Sequence, residues 1–293
     1  MKISIASGKG GTGKTMVTSS LAAIWGRPVT AVDLDVEEPN LHLFLNPVLR
    51  GSREALMEIP EITKDLCTYC RKCSEFCQFK AIAVLNKAIL TFPDMCHGCG
   101  GCMRVCPEGA ISRGHRILGE ISWGTAGSAG FVMGRLRVGE AMSPPLIRQV
   151  IHQVHEDARF LNSPPDLLFD APPGVSCPAV NAVMDSDIIV LVTEPTPFGV
   201  FDLRLAHKAF SSMDKPMCVV VNRAGLGNDE VYQFCKEENL PILAEIPFDR
   251  TIARDYAAGQ IISQSSLRME KVFKDLARLI QEYGASLKEV RHA

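Results

Sequence analysis

Eight of the eleven cysteines lie within residues 67–106, and their spacing repeats. Cys67, Cys70, Cys73 and Cys77 form a C-x₂-C-x₂-C-x₃-C run, and Cys96, Cys99, Cys102 and Cys106 repeat it further along the chain. Three thiolates on one tight loop suit three irons of a four-iron, four-sulfide cluster, and a fourth thiolate crosses over from the other run. This reading gives Cys67, Cys70, Cys73 and Cys106 to one 4Fe-4S cluster, and Cys96, Cys99, Cys102 and Cys77 to a second. Ala81-Ile82 and Ala110-Ile111 recur in the same register and would pack apolar atoms beside the clusters. The competing chemistry is two zinc knuckles, but zinc sites pair short C-x₂₋₄-C groups across a longer gap.

A second stretch is suited to phosphate. Gly8-Lys9-Gly10-Gly11-Thr12-Gly13-Lys14-Thr15 fits G-x-x-x-x-G-K-[ST]. Successive backbone N–H groups and a helix N-terminus would face the phosphates. Lys14 would reach the β- and γ-phosphates of ATP, and Thr15 would ligate Mg²⁺. The same residues contain Gly8-x-Gly10-x-x-Gly13, and Asp33 follows Gly13 at the distance a dinucleotide site would have. A dinucleotide site has no need of Lys14-Thr15, so a nucleoside triphosphate is the expected ligand.

Elements that would position these groups can be read around them. Residues 2–7 read as a short buried strand, Lys14 to Trp25 as a helix and Val29 to Leu34 as a second strand. Further β-rich apolar runs lie at 167–170, 188–192, 218–221 and 242–246, separated by helix-length segments. Continuous apolar strands with helical crossovers predict an α/β fold with a mostly parallel sheet. Val272, Phe273, Leu276, Leu279, Ile280 and Tyr283 recur at helical spacing and predict a C-terminal helix packed on the body, with a membrane-surface helix as the alternative. The expected organisation is an ATPase domain at 1–59 and 119–293, interrupted by a small α+β insert at 60–118 that holds the clusters. The form of 119–145 is not set by any pattern.

Composition bounds the rest. The 293 residues are 46% hydrophobic and 22% charged, with 31 basic against 33 acidic side chains, a net charge of −2. That balance argues against nucleic acid as a partner. No apolar run reaches the roughly 18–20 residues of a membrane span. Glycines from residue 8 come too early for a signal-peptide core, so a cytoplasmic compartment is expected. Burial alone holds so small an insert poorly, so its clusters should also be its structural core.

Lys9 makes the loop more particular. An early lysine in K-G-G-x-G-K-T resembles the deviant Walker A group, which includes MinD, ParA and the nitrogenase iron protein. The resemblance implies an ATP-sandwich dimer, of two identical chains or of a chain with its paralogue, in which Lys9 reaches the partner's phosphates. It implies that Asp35 acts on the attacking water and that Asp33 supports the Mg²⁺ site. Asp170-Ala171-Pro172-Pro173-Gly174 is similar to the family's second switch, where Asp170 would hold a water on Mg²⁺ and Gly174 would sense the γ-phosphate. Asn222 and Arg223 match the base-recognition position, Asn222 for the adenine edge, and Pro247 lies in the segment that closes over the base. The cysteine repeat resembles a two-cluster bacterial ferredoxin, although Gln78 follows Cys77 where Pro107 follows Cys106. Together these features resemble MinD-superfamily ATPases carrying an inserted ferredoxin domain.

Three functions follow from that resemblance. The first is an ATP-gated electron carrier with a redox protein as partner. The insert begins soon after Asp35, within reach of a switch movement. The second is a cluster carrier or assembly protein, in which Cys177, shortly beyond Asp170, would be a ligand. The third is a positioning switch of the MinD or ParA kind.

Overall fold

The computed structural model describes residues 1–159 and 163–292. In chain order the elements are β1 (Lys2–Ala6), α1 (Lys14–Ile24), β2 (Val29–Asp33), α2 (Leu41–Leu45), β3 (Val48–Ile62), α3 (Lys72–Phe76), β4 (Ile82–Leu85), β5 (Ala88–Thr91), α4 (Gly101–Val105), β6 (Ile111–Ala126) and β7 (Ala129–Leu136). There follow α5 (Ser143–Arg159), β8 (Asp166–Asp170), α6 (Cys177–Val183), β9 (Ile188–Thr193), α7 (Pro197–Ser211), β10 (Met217–Ala224), α8 (Glu230–Glu237), β11 (Ile242–Pro247), α9 (Arg250–Ala257) and α10 (Leu267–His292). Two compact units divide the chain. The larger comprises Met1–Ser52, Ile121–Arg135 and Ile147–Ala293; the smaller comprises Arg53–Glu120 and Leu136–Leu146.

The strands run in the order β11-β10-β9-β1-β8-β2-β7-β6-β3. β1 pairs in parallel with β8 and β9, β2 with β8 and β7, and β10 with β9 and β11. Every residue of β8 and β9 is buried, as expected of strands covered on both faces. Parallel pairing brings the C-terminal ends of these strands to one edge, where open α/β sheets place their ligands. The register sets Asp33 opposite Asp170, and Asp170 opposite Ile5 just before the glycine-rich loop. Two acids far apart in sequence thus flank one phosphate-type loop.

α1 is buried along most of its length, with Met16, Val17, Leu21 and Ala22 in the main core. α10 lays Met269, Phe273, Leu276, Ala277 and Ile280 into the same core, with Val272 and Tyr283 packed beside them. The predicted stripe is therefore a packing face. Among the described residues no helix is long and apolar enough to cross a membrane.

Asp166, at the start of β8, ties β8 to the turn after α1. Its carboxylate accepts hydrogen bonds from the Met1 amino group at 2.8 Å and Trp25 Nε1 at 2.7 Å, and also pairs with Arg27. Burial pushes this carboxyl up, but these donors more than reverse the effect and hold it below the usual carboxylate range. Replacing Asp166 with alanine strands two cations and an indole N–H, and should cost about 3 kcal/mol in denaturant unfolding.

The smaller unit repeats its backbone at the same offset as its cysteines. Short 3₁₀ turns at Lys64–Leu66 and Pro93–Met95 precede the two cysteine loops, and α3 and α4 follow them. Positive φ angles recur at Tyr69 and Gly98, Arg71 and Gly100, and Lys80 and Gly109. Three non-glycine residues thus hold a left-handed backbone that glycine adopts freely in the second copy. β4 and β5 form an antiparallel hairpin through Asn86-Lys87. The apolar core is small: Ile82, Val84, Ile89 and Ile111 around Cys73.

The smaller unit begins within β3 and its first segment ends within β6, and residues 136–146 join it. The unassigned stretch 119–145 supplies the end of β6 and all of β7, which pairs with β2.

Candidate functional site

The glycine-rich loop leaves β1 at Ala6 and enters α1 through Gly13, whose φ is 99°. A Cβ on Gly13 would lie 2.5 Å from Asn222 Nδ2, and one on Gly8 would lie 2.0 Å from the Asp202 carbonyl oxygen. Glycine is needed at both places for close approach, and at Gly13 also for the backbone angle. Lys14 is only 7% exposed. Burial lowers its pKa, while the charges of Asp170 and Asp35 pull it back up. Asp170 is buried, and its two oxygens accept from Thr15 Oγ1 at 2.7 Å and Thr18 Oγ1 at 3.0 Å. Burial raises the Asp170 carboxyl, and the Thr15 hydroxyl and Lys14 work against that. Thr12 Oγ1 is buried within the loop without a hydrogen-bond partner. The loop thus combines a buried cation, a carboxylate held by two hydroxyls and an unsatisfied hydroxyl, a donor set suited to a phosphate and its metal.

Asp33 and Asp35 separate into different roles. Asp33 is fully buried, and its oxygens accept the backbone N–H groups of Asp35 at 3.1 Å and Leu41 at 2.9 Å. Burial and the nearby Asp170 raise its pKa well above the usual value. Both oxygens are thus engaged in the turn after β2, beside Asp170. Asp35 is half-buried at the same turn; burial and the Asp170 charge push its pKa up to about 6, against the pull of Lys14.

The base-recognition residues are also rearranged. Asn222 Nδ2 donates to the Thr12 carbonyl oxygen at 2.8 Å, and its Oδ1 accepts the Arg223 N–H at 2.9 Å. Asn222 thus ties the phosphate loop to the end of β10. Arg223 pairs with Glu194 at 2.7 Å and donates to the Gly11 carbonyl oxygen at 3.3 Å. A pocket of about 280 Å³ opens here between Met16, Arg223, Pro247, Phe248, Ile252 and Tyr256. Pro247 is one of its walls, and Met16 and Tyr256 add walls that no motif marks. The Gly174 N–H, expected to sense a phosphate, is donated to the Ser7 carbonyl oxygen at 3.0 Å. Lys9, expected to reach a partner chain, is bound within its own chain to Glu194 at 2.7 Å.

In the smaller unit two cavities meet the cysteines. One is lined by Cys67, Cys70, Cys73 and Cys106 with Ala110 and Ile111. The other is lined by Cys77, Cys96, Cys99 and Cys102 with Ala81 and Ile82. Backbone N–H groups of Ala81, Gly98 and Ala110 donate to the sulfurs of Cys77, Cys96 and Cys106 at 3.3–3.4 Å. The surroundings differ: Tyr69, Arg71 and Glu108 flank the first cavity, and Phe76, Phe79 and Met103 the second. Among the described residues no three His, Cys, Asp or Glu side chains converge on a single-ion position. The remaining cysteines stand apart: Cys218 and Cys235 are buried, and Cys177 is exposed at the start of α6.

A sequence profile of the CobQ/CobB/MinD/ParA nucleotide-binding domain matches residues 3–262. The chain belongs to this family. It is 31% identical to an uncharacterized protein of Methanocaldococcus jannaschii over 286 residues, 97% of each chain. An uncharacterized ATP-binding protein of the same organism is 25% identical over 261 residues, 86% of this chain and 76% of that one. Among solved structures, the cell division ATPase MinD of Pyrococcus furiosus superposes with a TM-score of 0.57 at 22% identity, covering 96% of this chain and 98% of its own. MinD of Pyrococcus horikoshii, complexed with Mg-ADP, gives 0.56 at 20% identity and 95% coverage of both chains. A ParA family ATPase from Chlorobium tepidum gives 0.56 at 15% identity, covering 94% of this chain and 96% of its own. These likenesses establish the MinD-like α/β fold with a mostly parallel sheet.

Within this family member, Glu194 is the site residue that sequence reasoning missed. It sits at the end of β9 in Thr193-Glu194-Pro195, binds two cations and is 6% exposed. A lone acid at a strand end reads as a turn residue. Its two partners come from the loop after β1 and the end of β10, and only the sheet order brings them together. Thr18 is similar: one turn beyond Thr15 on α1, it shares Asp170.

Proposed function

We propose that this protein is a magnesium-dependent ATPase that pairs around ATP and couples its nucleotide state to one-electron transfer through two 4Fe-4S clusters in an inserted ferredoxin-type domain. A single observation carries the cluster part of this reading. Two separate cavities each collect four cysteines, three from one run and the fourth from the other. Four thiols around a space, with backbone N–H groups aimed at sulfur and ligands shared between the two runs, fit a cluster better than one zinc ion. When bound, the clusters would supply one-electron storage at a potential set by charge, hydrogen bonds and exposure.

The chain's own residues divide the nucleotide work. Lys14 and the loop N–H groups hold the phosphates, and Thr15 and Asp170 would hold Mg²⁺. Asp35, half-buried beside Lys14, orients the attacking water. Arg223, Pro247 and the pocket wall seat the base, and Asn222 and Asp33 keep the loop and the turn after β2 in shape. Phosphoryl transfer needs chiefly such positioning and charge compensation.

The decisive test is anaerobic reconstitution with iron and sulfide, followed by single-turnover ATP hydrolysis with oxidised and with reduced clusters. Iron content of about eight per chain and a hydrolysis rate or cluster potential that depends on the other partner's state is expected. Iron-poor protein that still hydrolyses ATP would favour the second reading, a nucleotide-driven positioning switch. The likeness of the fold to MinD and to a ParA family ATPase supports that reading, but it leaves eight cysteines without a task. A carrier function through Cys177 has less support, because Cys177 belongs to no C-x-x-C pair.

A further inference from the structure

The two halves of the cysteine repeat match in their thiols and differ in their turns. Tyr69, Arg71 and Lys80 hold φ angles of 56°, 66° and 56°, where the second copy has Gly98, Gly100 and Gly109 at 66°, 67° and 61°. This left-handed backbone strains any residue with a Cβ and suits glycine. Such strain persists only where the surroundings enforce it, and it gathers at functional sites. Packing accounts for Tyr69, which lies against the small apolar core. Lys80 is exposed and lines neither cysteine cavity. Arg71 is exposed and outside that core, and it lines the first cavity at the place where Gly100 lines the second. Packing gives no reason for arginine there, and its charge does.

A four-iron cluster on four thiolates is an anion, and reduction adds one more negative charge. A fixed cation beside it favours the reduced form, and apolar walls disfavour it. The acids offset one another, Glu108 at the first cavity against Glu58 at the second. That leaves Arg71 at the first cavity. At the second it leaves Phe76, Phe79 and Met103, with the His97 ring stacked on Phe79 at 3.5 Å between centroids. One effect opposes this difference. The Gly98 N–H donates to Cys96 Sγ at 3.4 Å, and such a contact also favours the reduced form. A long N–H···S contact is a weak dipole, whereas a guanidinium carries a full charge at every working pH, so the charge decides.

We propose that Arg71 sets the cluster of Cys67, Cys70, Cys73 and Cys106 at the higher reduction potential of the two, so that the smaller unit has unequal ends. This rests on the reading that both cavities hold 4Fe-4S clusters. Arg71→Gln removes the charge and keeps the left-handed turn. Arg71→Gly removes the charge and relieves the turn, so it separates tuning from structure. Gly100→Arg places the same cation beside the second set of thiolates; a Cβ there meets nothing within 4 Å, and the turn is one that Arg71 already adopts.

The test is a reductive titration of the anaerobically reconstituted full chain, followed by electron paramagnetic resonance. It is run at about pH 8.5, above the range in which histidine is ordinarily a cation. The parent should show two separate one-electron steps. Arg71→Gln should lower the upper step by about tenfold in its equilibrium constant, about 59 mV, and leave the lower step in place. Arg71→Lys should restore the upper step, and Gly100→Arg should raise the lower one by a similar factor. Arg71→Gly should shift the upper step as Arg71→Gln does while unfolding at no lower a temperature than the parent. Should Arg71→Gln or Gly100→Arg fail to fold, Arg71→Gly decides alone. Coincident steps in the parent, or an upper step that loss of the Arg71 charge leaves in place, would overturn the role of Arg71. A reconstituted parent without an iron–sulfur signal would overturn the cluster reading itself.

Discussion

Alanine at both Cys67 and Cys106 should leave one cluster intact and remove the other, whereas alanine at both Cys67 and Cys77 should remove both. The first pair lines one cavity, although its members come from different runs; the second pair shares a run but faces two cavities. Each cluster needs its thiolates to remain bound, so two losses within one set spare the other set. Two losses divided between the sets damage both. Iron and sulfide content should fall from about eight to about four per chain in the first variant and towards zero in the second. The reverse pattern would mean that each run holds its own metal, as two zinc knuckles would. The effect extends to folding, because four isoleucine and valine side chains form most of the apolar core of the smaller unit. Such a core is slight for a unit of this size, so on the proposed cluster reading metal binding would contribute folding free energy directly. Limited proteolysis should therefore cut the second variant within residues 60–118 while the larger unit resists.

Asp170→Asn should slow ATP hydrolysis by about 10²–10³-fold while leaving metal-free nucleotide binding nearly unchanged. The carboxylate accepts from Thr15 and Thr18 and lies close enough to Lys14 to influence its titration. An amide keeps the volume and one acceptor but removes the negative charge facing the buried lysine and the expected metal. Asp33→Asn provides the contrast. Asp33 spends both oxygens on backbone N–H groups of its own turn, so an amide there points a donor at a donor. Its loss should appear first as lowered thermal stability, about 1–3 kcal/mol, with a smaller effect on turnover per folded molecule. Measuring kcat and unfolding on both variants separates the two acids; equal loss of turnover would show that Asp33 also acts at the reacting phosphate.

Much of this protein could be read from local patterns. The phosphate loop, the strand before it and the helix after it depend on contiguous residues and on backbone angles that glycine supplies, so sequence was enough. The same holds for the cysteine repeat, whose offset reappears in the turns, the short helices and the positive φ angles of the smaller unit. The apolar runs of β8, β9, β10 and β11 were equally plain, because strands covered on both faces carry no polar alternation. β3 was not legible: it mixes Arg50, Arg53, Glu54 and Glu58 with exposed Val48 and Leu49, and a strand at the end of a sheet need bury only part of its surface. The partners of single polar side chains escaped sequence altogether. That Asn222 would clamp the phosphate loop, that Asp33 would fold its own turn and that Glu194 would hold Lys9 and Arg223 at once depended on which strand ends lie side by side. That order comes from burying the whole sheet cooperatively, a global property that no short window of residues contains.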